Sequence, residues 1–351
     1  MAVNVFFAFT LLMSYLAVHI SPGDFALPAF FGLAYPYLLL INIIILIAWI
    51  ALLRFEAFIS LIVIAIGYNH FSNYIKLSKP PGDKSNTFKV LSYNVRLFNY
   101  YESKNGVYSA KRIVEFIKTQ QPDIICLQEF FILGNPALEE ETIIKGLKDR
   151  YYSHMKVFKV SGNRYYGIVT FSKYPIINKG EIVHNSSSSL SIYSDVLIQK
   201  DTLRIFNNHL ESFRLKRMNR SFIEEMSSSE NKETMDEVKL LSRSLKKGFA
   251  RRSLQAQLVK SYINKSPYPV IVAGDFNDTP VSYAYRKIRK GLNDSFVTSG
   301  YGAGFTYKGN YPPNRIDYIL YDDNLINSYF EIKKVRYSDH YPIVAYFRKK
   351  N

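Results

Sequence analysis

The chain has 351 residues and a formal charge of +16, with 45 lysines and arginines against 29 aspartates and glutamates. That length suffices for one large domain or two smaller ones, and the basic excess points to an anionic partner such as nucleic acid, a phosphate ester or anionic lipid. Its one cysteine, Cys126 in the apolar run 124–127, excludes an intrachain disulfide and a thiolate zinc cluster, and reads as a small core residue.

Residues 1–79 carry only Asp24, Arg54, Glu56, Lys76 and Lys79 as charged side chains, so nearly all the excess charge belongs to residues 80–351. Apolar runs at 3–20 and 29–53 reach or approach the roughly 20 residues that cross a bilayer. A third run, 57–68, is shorter; it spans with help from 71–75 or lies at the interface. The first run lacks a basic start and a small-residue cleavage site, which favours an uncleaved span over a signal peptide. Two or three transmembrane helices are therefore expected. Arg54, between runs two and three, places that turn on the cytoplasmic side and, with three spans, the C-terminal domain outside. Lys76, Lys79 and Lys84 argue the opposite, so the side is left open, with the extracytoplasmic side slightly favoured. Residues 80–86, Pro-Pro-Gly-Asp-Lys-Ser-Asn, form a linker.

Beyond the linker, strands are predicted at 88–95, 123–127, 166–171, 195–199, 202–208, 270–273, 315–321 and 342–347, with amphipathic helices at 109–118 and 251–264. Many strands among few helices indicate an α/β sandwich larger than a simple doubly wound sheet. Residues 186–189 form a polar loop. Residues 211–250 read as a charged insertion, with Arg214, Lys216, Arg217 and Arg220 close together and three serines at 227–229. It is either a basic flap over an anionic substrate or membrane, or a solvated insertion.

The apolar run 270–273 ends in Asp275 and Asn277, which point the same way in extended chain. Such a pair positions a water or a phosphate, or simply makes an Asx turn. Each further strand ends likewise, in Asn94, Glu129, His209, Asp317, or Asp339 with His340. Singly, each has an ordinary explanation: a cap, a surface ion pair, an Asp317–Arg315 bridge, a structural histidine. Their recurrence at successive strand ends points to a shared site.

In combination, Ser92-Tyr93-Asn94, Leu127-Gln128-Glu129, Asn208-His209-Leu210, Gly274-Asp275-Phe276-Asn277, Arg315-Ile316-Asp317-Tyr318 and Ser338-Asp339-His340 resemble the endonuclease/exonuclease/phosphatase superfamily. The resemblance runs across nearly all of 87–349 and leaves the apolar segment outside. It implies a four-layer α/β sandwich of two packed mixed β-sheets flanked by helices, forming a catalytic domain over 87–351. It also implies that Glu129, assisted by Asn94 and Asp339, holds a divalent metal, Mg²⁺ or Mn²⁺. Asp275 would orient or deprotonate the attacking water, and Asn277 would hold a phosphate oxygen. His340, oriented by Asp317, would stabilise negative charge, and His209 would bind the phosphoryl group or protonate the leaving oxygen. Hard oxygen ligands suit such ions better than zinc, and phosphoryl transfer needs a Lewis acid, an aligned nucleophile and cationic donors. The His209 motif is unlike the Tyr- and Pro-containing stretch of apurinic-site endonucleases. With the apolar segment it favours a lipid-linked or other anionic phosphate ester at a membrane, as in bacterial members anchored in the cytoplasmic membrane. A nuclease acting on DNA or RNA is the alternative substrate reading, and an inactive binding module the alternative class. No protein partner is expected.

Overall fold

The computed structural model describes residues 1–78, 82–100, 107–133, 151–184, 189–212, 233–309 and 313–350. They group into two compact units. One comprises Met1–Ser72, Glu211–Gln257 and Asn277–Ile288; the other comprises Asn73–Leu210, Leu258–Phe276 and Arg289–Asn351. The basic run 214–220, the serines at 227–229, the linker prolines and most of the 186–189 loop lie outside the described residues.

The first unit opens with helices α1 (Ala2–Leu16), α2 (Leu27–Ala51), α3 (Ala57–Ile66) and α4 (Tyr68–Ser72). Among the described residues, α2 is the helix long and apolar enough to cross a membrane, and only 17% of its most apolar window is buried. The first apolar run makes a shorter helix than its length suggests, because Ser21, Pro22 and Gly23 turn the chain soon after Leu16. Polar side chains on these helices face one another. Ser60 Oγ donates to Asn4 Oδ1 at 2.7 Å, and Asn4 Nδ2 donates to the Glu56 carbonyl at 2.8 Å. Asn42 Nδ2 reaches the Phe7 carbonyl at 3.0 Å, and Tyr15 Oη reaches that of Val63 at 3.0 Å. These bonds tie α1 to α2 and α3.

Among the described residues the second unit holds fourteen strands: β1 (Ile75–Lys76), β2 (Phe88–Asn94), β3 (Ile124–Leu133), β4 (Tyr152–Ser161), β5 (Arg164–Ser172), β6 (Ile176–Ile182), β7 (Leu190–Ile198), β8 (Asp201–His209), β9 (Val270–Asp275), β10 (Asn293–Asp294), β11 (Gly302–Ala303), β12 (Asp317–Tyr321), β13 (Leu325–Ile332) and β14 (Ile343–Lys349). Two six-stranded sheets run β10-β12-β9-β8-β7-β6 and β13-β14-β2-β3-β5-β4, and β1 pairs with β11. Both large sheets are mixed, since β2–β3 and β8–β9 are parallel and their other pairs antiparallel.

Strand alternation builds the core. Phe88 and Val90 of β2, Ile124 and Cys126 of β3, Leu203 and Ile205 of β8, and Ile271 and Ala273 of β9 all join one buried cluster between the sheets. The intervening residues, Leu91, Tyr93, Ile125 and Leu127, join a second cluster with Ile113, Phe116 and Ile117 of α5 (Val107–Gln120), which covers that sheet's outer face. Helix α6 (Glu233–Asn264) starts far before the predicted residue 251, since residues 233–250 are good helix formers whose charges mask any apolar period. Its last turns reach the other sheet through Tyr262, 6.1 Å from the Tyr193 ring.

Arg315 does not pair with Asp317. Its guanidinium meets Asp294 at 2.5 Å, both side chains essentially inaccessible. Asp294 also accepts from the Phe296 amide at 2.9 Å, capping the short helix Ser295–Ser299. Removing one partner of a buried ion pair strands the other charge. Asp294→Ala is therefore expected to cost about 3–5 kcal/mol in a urea-unfolding measurement. A loss below about 1 kcal/mol would show that the pair contributes no more than a surface bridge.

Candidate active site

The inward-facing row that carries the core also carries the site. Leu203, Ile205, Asn207 and His209 share one face of β8, as do Ile271, Ala273 and Asp275 on β9 and Asp317 and Ile319 on β12. The register sets His209 beside Asp275 and Asp275 beside Asp317 across three adjacent strands. The apolar pattern thus ends in a polar row at one end of the sheet. On the facing sheet, Asn94 closes β2, and Ile343 pairs with Ser92, so His340 lies just before β14 near the same end. Gly274 keeps this row tight. Its φ is +135°, and a Cβ there would lie 2.0 Å from the Asn208 carbonyl oxygen, so only glycine fits.

Glu129 was expected at a strand end but sits within β3, which continues to Leu133. Pairing with β5 slips between Leu127 and Phe130, and Glu129 has φ +49°. This bulge turns its carboxylate towards the row instead of leaving it on the regular alternation. Asn94 Nδ2 then lies 3.2 Å from Glu129 Oε1 and 2.9 Å from Asp275 Oδ2, joining the two carboxylates. The Asn94 carbonyl oxygen Oδ1 accepts from the Arg96 amide at 2.9 Å.

Asp317 holds His340 through Nδ1 at 2.9 Å, and the imidazole Nε2 lies 3.8 Å from Asp275 Oδ2. Burial works against the imidazolium, but Asp317, Asp275 and Asp339 together outweigh it and push His340 up to about 10. Burial also pushes Asp275 up to about 6, opposed by the His340 charge and reinforced by that of Asp317. Burial raises Glu129 as well, with Asp339 acting in the same direction. His209 Nε2 lies 3.5 Å from Glu129 and 3.8 Å from Asp275. Asn277 follows in a left-handed turn, φ +51°, and belongs to the first unit.

Several residues not assigned a role from the sequence support the site. Tyr166 Oη lies 2.6 Å from His209 Nδ1. With the hydroxyl donating, the proton of a neutral imidazole rests on Nε2, facing the carboxylates. Ser338 Oγ donates to the Asn94 carbonyl at 2.8 Å, stitching the two motifs together. Buried Gln128 donates to Asn207 Oδ1 at 2.7 Å across the sheets. Arg96, at the start of four consecutive left-handed residues (Arg96, Leu97, Phe98 and Asn99), lies 3.2 Å from Asp339.

Two donor sets can hold a cation. Asp275, Asp317 and His340 each offer an atom within 4.8 Å of the others. A protonated imidazole already bonded to Asp317 is a poor ligand, however. Glu129 offers hard oxygen donors, and the charge of Asp339 adds to the burial that raises its pKa, so a divalent cation beside it would offset both.

Buried carboxylates beside a histidine paired with Asp317, meeting at the ends of two packed mixed sheets, are the kind of groups that phosphoryl transfer uses. The profile of the Endonuclease/Exonuclease/phosphatase family matches residues 91–340, and the chain belongs to that family. A second profile, a domain of unknown function, matches residues 1–74. Among curated proteins none matches this chain. Solved structures share the fold at low identity. A family protein from Leptotrichia buccalis aligns with TM-score 0.54 and 16% identity over 75% of this chain and 100% of its own. Truncated Caenorhabditis elegans TDP2 gives 0.52 and 20% over 75% and 98%. The human Nocturnin catalytic domain with bound sulfate gives 0.53 and 17% over 75% and 95%.

Proposed function

We propose that this protein is a membrane-anchored, divalent-metal-dependent phosphoric ester hydrolase acting on a lipid-linked or other anionic phosphate ester. The observation that carries this reading is the cross-strand row of His209, Asp275 and Asp317, faced by His340 and by the bulged Glu129. Residues 87–351 act as the catalytic domain, 80–86 as a linker and 1–79 as the anchor, supported by the length and exposure of α2.

Asp275, buried and raised to about 6, is largely ionised at neutral pH yet basic enough to take a proton from an attacking water. Its carboxylate is aimed by the Asn94 amide. His340, held cationic by Asp317, places a fixed positive charge where charge builds on the phosphoryl oxygens. His209, oriented by Tyr166, donates Nε2–H to the phosphoryl group or the leaving oxygen. Asn277 supplies an amide to a phosphate oxygen. Glu129 and Asp339, with Asn94 as orienter, would hold Mg²⁺ or Mn²⁺, which supplies Lewis-acid charge for the phosphoryl oxygens when bound.

The test is turnover by full-length protein with Mg²⁺ on phospholipid, isoprenoid-phosphate and DNA panels. Hydrolysis of DNA alone would remove the lipid reading. Glu129→Gln is expected to raise the Mg²⁺ concentration for half-maximal rate by about 100-fold or more and to weaken Mn²⁺ binding in parallel. Unchanged Mn²⁺ binding would remove Glu129 from the metal site. A second reading, a membrane-tethered nuclease, is favoured by a similar fold, the Danio rerio TDP2 described as complexed with a single-strand DNA product. It predicts a steep fall in DNA affinity with salt. Retention of Glu129, Asp275 and His340 in one cluster speaks against an inactive binding module.

A further inference from the structure

Beside His340 the chain carries cations that the mechanism leaves unused. Tyr307 bridges to His340 as a β-partner, its ring 5.1 Å from the imidazole. The next residue, Lys308, is half-buried and pinned by its amide, which donates to the Asp339 carbonyl at 2.8 Å. Its ammonium lies 5.2 Å from the Tyr341 ring, and the Lys334 ammonium lies 4.4 Å from the same ring. The carboxylate at hand, Asp339, already faces Arg96 at 3.2 Å. Among the described residues, Lys308 and Lys334 take no ion pair.

Solvation alone would scatter such charges. Here two are gathered at one edge of the site, outside salt-bridge distance of any carboxylate among the described residues, around the ring of Tyr341, next to the catalytic histidine. The scissile phosphoryl is already served by Glu129, His209, Asp275 and His340. We propose that Lys308 and Lys334 form a subsite for a second phosphate group on the substrate, so that the preferred ester carries two phosphates. This rests on the hydrolase reading above. The same chemistry is offered by a nucleotide with an additional phosphate and by a phosphorylated lipid headgroup.

The probe is inorganic pyrophosphate against inorganic phosphate, by calorimetry on the full-length protein in chelator-treated buffer. Wild type is expected to bind pyrophosphate at least about tenfold more tightly than phosphate, and Lys308→Ala/Lys334→Ala to lose that advantage while phosphate affinity stays. Lys308→Arg should retain it. Equal losses for both anions, or none, would overturn the subsite. Turnover then separates the sources. Thymidine 5′-(p-nitrophenyl phosphate) is compared with its 3′-phosphorylated form, and phosphatidylinositol with its 4-phosphate. A preference for the doubly phosphorylated member in either pair, lost in the double variant, supports the subsite and names the source. No preference in either pair, with turnover present, overturns it. No turnover of any ester, with pyrophosphate binding still lost in the variant, removes the hydrolase reading and leaves the anion site standing.

Discussion

Asp275→Asn is expected to lower kcat by about three to four orders of magnitude while leaving the protein folded, because a positioned general base is worth about 10²–10⁴ in rate. Asparagine keeps the shape and can still meet Asn94 after an amide flip, so the loss isolates the charge. The stability signature has a definite sign. Burial raises Asp275 from its ordinary 3.8 to about 6 in the folded state. The folded protein therefore binds more protons than the unfolded chain between those values. The contribution is fully present below about 3.8 and is lost as pH rises through 6. Wild type thus loses stability over that window, on the order of 1–3 kcal/mol, and the asparagine variant does not. Urea unfolding at pH 4 and pH 8 in chelator checks this, and single-turnover rates check kcat. A variant within tenfold of wild type would remove Asp275 as the base. Matched pH dependences would remove the account of its burial.

The parts of the site on regular strands were legible, because a two-residue period that ends in a polar residue marks both the strand and its exit. His209 and Asp275 were singled out in this way, and the register sets them side by side, with Asp317 at the start of β12 on the same face. Glu129 was singled out for the wrong local reason. The apolar run 124–127 stops there, but the strand continues through a bulge, and the following Phe130, Phe131 and Ile132 belong to the outer cluster under α5. One extra residue in a strand leaves no trace in a hydrophobicity pattern. Strands β4, β6 and β13, and the two-residue β1, β10 and β11, were not predicted. Exposed positions on β6 blur the alternation, a register slip between Asn327 and Tyr329 breaks it on β13, and Tyr152–Ser161 mixes lysines and aromatics with no clear period. Sheet order depends on pairings far apart in the chain, such as β14 with β2, which no local pattern encodes. Tyr166 and Lys308 gained their places through other such long-range pairings. Tyr166 stands opposite Phe131 and Phe158, and Lys308 lies beside the bridge from Tyr307 to His340.

Asp317→Asn tests whether the charge of His340, beyond its position, serves catalysis. In the folded protein His340 is held up at about 10 against an ordinary 6.5. Its stabilising contribution is therefore fully present below 6.5 and is lost as pH rises through 10. Asparagine keeps an oxygen within reach of Nδ1 but removes the leading charge that sustains the imidazolium against burial. In metal-free protein, the NMR titration of His340 is expected to move down by several units, while wild type stays protonated through neutral pH. Stability at pH 7 should fall by about 3 kcal/mol, as for other buried pairs that lose one charge. At pH 8 kcat should fall by about 10²–10⁴, the range in which loss of an orienting carboxylate changes a catalytic histidine. A residue that only positions the ring would lose activity equally at every pH. If Asp317 acts by keeping His340 charged, the variant instead recovers part of its rate as pH drops below the new His340 pKa. A pH-independent loss together with an unshifted His340 resonance would overturn that role, and with it the electrostatic part of the mechanism.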